Sequence, residues 1–164
     1  MKKFIIVLLF VVGCGPLPDI TTSHGADVFV ERGVCMSRHA MELALDHFAR
    51  EIELEDLTTK KEFIDAIHHV GLVITLVPEQ LYWDGKYYNG TQNGMHVTVY
   101  FPGCFSASAM FHELGHYIRE TVWNEWLPDM EHNDTYFWNI MDRSIPEKHS
   151  TNPYDCVPSY YCSE

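Results

Sequence analysis

Apolar positions recur along the chain at two different spacings. After Ser37, which is placed to cap a helix, Met41, Leu43, Ala44, Phe48 and Ile52 repeat at helical intervals, predicting a helix to about Ile52. Thr59 followed by Glu62 has the form of a capping box, and Phe63, Ile64 and Ile67 mark a second helix behind it. The run Leu72 to Val77 is rich in β-branched residues and stops at Pro78, as a strand would. Asp84-Gly85 stands between Leu81-Tyr82-Trp83 and Lys86-Tyr87-Tyr88, a strong signal for a two-residue hairpin. Asn89-Gly90 and Asn93-Gly94 predict further turns. Met95 to Phe101 then alternates with the period of a strand and ends at Pro102-Gly103. A third helix is expected from Ser106 or Ser108 to about Glu120. After a loop containing Pro128, a fourth runs from near Asn133 to about Arg143, with Trp138, Ile140 and Met141 apolar. Helices, a small sheet and more helices in that order predict an α+β fold, with an irregular tail after Ser144.

The first fourteen residues follow a different logic. Lys2 and Lys3 precede the apolar run Phe4 to Val12, which is too short to cross a bilayer as a helix. Gly13-Cys14 follows at once. A basic start, an apolar stretch and a small residue form the layout of an export signal. Val11-Val12-Gly13-Cys14 further resembles a bacterial lipobox, in which the Cys receives diacylglycerol. The resemblance implies removal of residues 1–13, a lipid on Cys14 and attachment to the cell envelope. Gly15 rather than Asp after that Cys favours the outer membrane in a Gram-negative host. Residues 14–30, with Gly15, Pro16, Pro18 and the polar run Thr21 to Gly25, read as a flexible tether, leaving 31–164 as the folded domain.

Composition narrows the function classes. Hydrophobic residues make up 46% of the 164, enough for a core. The net charge is −12, and loss of Lys2 and Lys3 with the leader would take it to −14. Such a balance argues against nucleic acid as a partner, since binding it requires a basic surface that releases counterions. Cys35, Cys104, Cys156 and Cys162 remain beside the lipobox Cys. An even number in an exported chain implies up to two disulfides, with all three pairings open.

The sharpest chemical signal is His112-Glu113-Leu114-Gly115-His116. On a helix, residues four apart leave the same face, so both imidazoles can hold one zinc ion. Glu113 is rotated from the pair and is placed to take a proton from water activated by the metal. Met110, Phe111, Leu114 and Ile118 supply the core-facing side of that helix. Gly115 costs about 1 kcal/mol relative to Ala in mid-helix, a cost that fits close packing beneath a metal. A catalytic zinc site also needs a third protein ligand. Glu120 and Glu125 come soonest; Glu131, His132 and Asp134 follow the loop. The metzincin spacing would place a His where Val122 stands, which excludes that class. Glu131 is the acid that begins to fit a thermolysin-like arrangement. His132 is better placed, because it opens a predicted helix after a loop long enough to turn back.

From His112 to Phe137 the layout resembles the SprT-like minimal zincins. These carry H-E-x-x-H, a loop, and a third His followed within about one turn by an aromatic, here Tyr136 or Phe137. The resemblance covers about thirty residues. It implies zinc held by His112, His116 and His132, Glu113 as general base, and a small sheet flanked by helices. It further implies that the strand Met95 to Phe101 runs along the cleft and pairs with an extended peptide. The Gly that usually follows the third His is Asn133, and no basic tail or zinc ribbon follows, so DNA-linked proteolysis does not carry over.

The sequence thus predicts a lipid-anchored zinc metallopeptidase acting on peptide or protein substrates. The alternatives are a non-catalytic envelope lipoprotein of the same fold, in which Glu113 would have no use, and a zinc hydrolase of non-peptide amides such as cell-wall material. With ten His in the chain, the others take plainer readings. His68 and His69 face solvent at a helix end, His96 is structural, and Trp123 and Trp126 are core or loop anchors.

Overall fold

The computed structural model describes residues 16–101 and 107–124. The chain enters its sheet at once. Strand β1 (Ile20–Thr21) pairs antiparallel with β2 (Asp27–Val30), Ile20 opposite Val28. The reading of residues 14–30 as a tether is therefore corrected from Ile20 onward. The polar run that suggested a linker is a closed turn, in which Gly25 N donates to Thr22 O at 3.0 Å and Ala26 N to Thr22 Oγ1 at 3.0 Å. Its polar groups are satisfied locally, and Ala26 and Val28 are buried in the core.

Helix α1 (Arg38–Leu54) starts where the sequence predicts, with Ser37 Oγ accepting from Ala40 N at 3.1 Å. It ends in a Schellman turn. Asp56 takes a positive φ of 54°, and Leu57 N reaches Ile52 O at 2.9 Å, bringing Leu57 against the core. Leu45 lies on the buried face, whereas Leu43, expected there, is exposed. Helix α2 (Lys60–Val70) has both halves of the Thr59–Glu62 capping box. The two helices form the crossover from β2 to β3 (Val73–Val77), which pair in parallel.

After β3 the chain makes a separate two-stranded hairpin, β4 (Leu81–Trp83) and β5 (Lys86–Tyr88). Asp84 and Gly85 between them both have positive φ, 49° and 76°, as a primed two-residue turn requires. Strand β6 (Gly90–Asn93) then returns antiparallel to β7 (His96–Tyr100), which runs parallel to β3. The main sheet is thus mixed and five-stranded, in the order β1-β2-β3-β7-β6. Helix α3 (Ala107–Thr121) packs across β6 and β7. The three described helices meet at Phe48 of α1, whose ring lies 5.3 Å from Phe63 of α2 and 5.2 Å from Phe111 of α3. The result is a small α+β domain, the class the sequence predicts. The expected fourth helix and the tail lie outside the described residues, as does the leader.

One expectation about the sheet is corrected. β7 is bonded to β3 on one side and to β6 on the other, so it has no free edge for a peptide. Among the described residues the edge strand beside α3 is β6.

Candidate metal and active site

The site grows out of the heptad-like spacing of α3. Met110, Phe111, Leu114, Tyr117 and Ile118 are buried and seat the helix on the core. His112 and His116 fall on the flank away from those residues. At about 100° per residue, Glu113 is turned by about 100° from His112 and about 60° from His116. It therefore lies between the histidine flank and the core.

The two imidazoles converge. Their Nε2 atoms are 3.2 Å apart, with ring centroids at 4.9 Å and planes inclined by 76°. Two nitrogens bound to one zinc at 2.0–2.1 Å with a tetrahedral angle would stand about 3.3–3.4 Å apart. The observed spacing fits a shared ion with little movement. His116 is 8% exposed and Glu113 7%, while His112 is half-buried and opens outward. The Glu113 side chain rests against β6 at Gly90. A Cβ built on Gly90 would lie 2.7 Å from both Cγ and Oε1 of Glu113. His112 and Glu113 line a cavity of about 350 Å³ together with Ala109 and with Tyr87, Tyr88, Asn89 and Gly90.

The structure brings His112, Glu113 and His116 together as the sequence predicts. Glu120 is not part of the group, since its Oε2 accepts from Gln92 Nε2 at 2.6 Å on β6. Among the described residues no set of three His, Cys, Asp or Glu side chains is grouped to hold a metal. His132, Glu125, Glu131, Asp134, Tyr136 and Phe137 lie outside the described residues. Cys14, Cys104, Cys156 and Cys162 lie outside as well. Cys35 is disulfide-bonded. His96 pairs with Asn93, at the opposite end of β6 from Gly90. His68 and His69 are exposed at the end of α2, and Trp123 packs on the core.

Gly90, Tyr87 and Tyr88 are the residues that sequence reasoning did not assign to the site. Asn89-Gly90 reads as a turn, and the tyrosines read as hairpin flanks. Their place beside Glu113 depends on a long-range pairing of β6 with β7. Comparison of the chain with family models, with curated proteins and with solved structures found no match.

Proposed function

We propose that this chain is an exported, lipid-anchored zinc peptidase of the minimal zincin type. The observation that carries the reading is the pair of Nε2 atoms at 3.2 Å beside a nearly buried Glu113, at the wall of a cavity. The donor set suits zinc, which takes neutral imidazole nitrogen readily. His112 and His116 would hold the ion, with His132 as the third ligand by the likeness to SprT-like zincins. A bound zinc would supply Lewis acidity, acidifying the attacking water and polarising the scissile carbonyl.

Glu113 would then act as the proton carrier. Its carboxylate accepts the proton that the water gives up as its oxygen bonds to the carbonyl carbon. The same carboxyl returns that proton to the amine nitrogen as the C–N bond breaks. Burial against Gly90 keeps bulk water from solvating the carboxylate and holds it in one place. Among the described residues β6, not β7, is the sheet's edge strand on this side, and it is the strand that would take an extended peptide. The disulfide at Cys35 is consistent with an oxidising compartment, and so with export.

Metal analysis of the purified protein and a peptidase assay of Glu113→Gln beside wild type test the reading. One zinc per chain is expected in both proteins, with hydrolysis lower by at least about a thousandfold in the variant. Protein that binds no zinc, or a Glu113→Gln variant as active as wild type, would overturn it. Cleavage of cell-wall amides with no cleavage of peptides would shift the substrate class while keeping the chemistry.

A further inference from the structure

Among the described residues the hairpin formed by β4 and β5 pairs only with itself, and its aromatics are exposed. Trp83 is 76% exposed, Tyr87 70%, Tyr82 65% and Tyr88 38%. The other exposed large apolar residues, such as Leu17, Leu54 and Val70, are scattered through the chain. Here Tyr82 and Tyr87 stand opposite each other on one face of the hairpin and Trp83 and Tyr88 fall on the other, and exposed aromatics gathered on one element mark contacts with a ligand or partner. The hairpin is also firmly based. Its primed turn is set by Asp84 and Gly85, Gln80 Nε2 donates to Asn89 Oδ1 at 2.8 Å, and Tyr100 N donates to Asn89 O at 2.8 Å. It therefore projects from a fixed root, and two of its residues, Tyr87 and Tyr88, line the same cavity as His112 and Glu113.

We infer that this hairpin is the specificity wall of the site, gripping a large apolar side chain of a peptide beside the bond to be cut. The inference rests on the peptidase reading and adds the substrate class. The chemistry favours a peptide side chain over a sugar. Tyr82 and Tyr87 pack with centroids 5.0 Å apart but planes inclined by 53°, so they offer no flat platform for a pyranose ring. Such a tilted pair suits a Phe, Leu or Met side chain, which needs contact area from any direction. Asp84 and Lys86 cancel in charge, so the hairpin sets no electrostatic bar to a neutral group. An anionic membrane surface would be disfavoured by the net charge of −12 on the chain.

The test uses full-length Glu113→Gln protein, so that it reads binding without turnover. Fluorescein-labelled peptides differing at one position, Phe, Leu, Ala or Ser, are titrated by anisotropy in the presence of zinc. The Phe and Leu peptides are expected to bind at least about tenfold more tightly than the Ala peptide, as burial of a large apolar side chain predicts. Adding Tyr87→Ala and Tyr88→Ala should shrink that preference to under about threefold, with zinc content and circular dichroism unchanged. Tyr82→Ala alone, which removes the ring behind Tyr87 but leaves both cavity-lining tyrosines, should shrink it less. Equal binding of Phe and Ala peptides would overturn the inference, as would a preference that survives both tyrosine changes. So would binding of cell-wall oligosaccharides or anionic vesicles that is lost in the tyrosine variant while peptide binding is kept. A wild-type protein that shows this preference yet cleaves nothing would retire the peptidase reading and leave the hairpin as a peptide-binding element.

Discussion

Glu113 occupies the space that Gly90 leaves by having no side chain. A Cβ there would stand 2.7 Å from Cγ and Oε1 of the glutamate and 3.0 Å from Cδ, closer than packed atoms approach. Gly90 has no positive φ, so Ala fits its backbone, and the side chain it meets most closely is that of the glutamate. Gly90→Ala is expected to displace the carboxylate while leaving the His112–His116 pair in place. A misplacement of about 1 Å in a catalytic group costs roughly a hundredfold in rate. The expected result is therefore a fall in kcat of about ten- to a hundredfold, with zinc content unchanged and KM altered by less than about threefold. Unchanged kcat would show that the position of Glu113 against β6 does not matter to the reaction.

Two imidazoles on one helix leave a tetrahedral ion half coordinated. If His132 is the third ligand, His132→Ala should weaken zinc binding by at least about a hundredfold in a competition with a chelator of known affinity, whereas Asp134→Ala should change it by less than about threefold. The reverse pattern would make the site His-His-Asp and would remove the likeness to the SprT-like arrangement.

Phe48 joins all three described helices, touching Phe63 and Phe111 while fully buried. Phe48→Ala should lower the unfolding free energy by about 3–5 kcal/mol, since the facing rings come from different helices and cannot all close the gap. Urea denaturation followed by circular dichroism measures it. A loss under about 1 kcal/mol would mean that the core collapses around the missing ring. Phe111 precedes His112, so the same variant is also expected to loosen zinc binding.

Local signals were legible where the chemistry is local. Ser37, the Thr59–Glu62 box and Asp84-Gly85 each act within a few residues, and the structure uses each as its sequence predicts. The His112–His116 pair follows from helical spacing alone. β6 was not legible, because Gly-Thr-Gln-Asn at a sheet edge carries no apolar alternation and is defined by its partner β7. β1 and β2 were hidden by polar residues that close a turn rather than join a linker. The place of Gly90 beneath Glu113 joins two elements through the sheet, and no spacing along the chain encodes it.

Tyr117 ties α3 to the end of α2 by donating its hydroxyl proton to Gly71 O at 2.9 Å. Burial of the side chain pushes its pKa up to about 12, from an ordinary value of 10.0. The folded protein therefore holds this proton over a pH range in which the unfolded chain gives it up. Proton binding is greater in the folded state, so stability falls as pH rises. The contribution is fully present below about pH 10 and is lost as pH climbs toward about 12. Its size is roughly 2 kcal/mol, somewhat less than two full pKa units would give. Tyr117→Phe should cost about 1 kcal/mol at neutral pH through the lost hydrogen bond. The same variant should have a flatter stability profile than wild type between pH 10 and 12, measured by urea unfolding at each pH. Parallel profiles for the two proteins would show that Tyr117 ionises as freely in the folded chain as in the unfolded one.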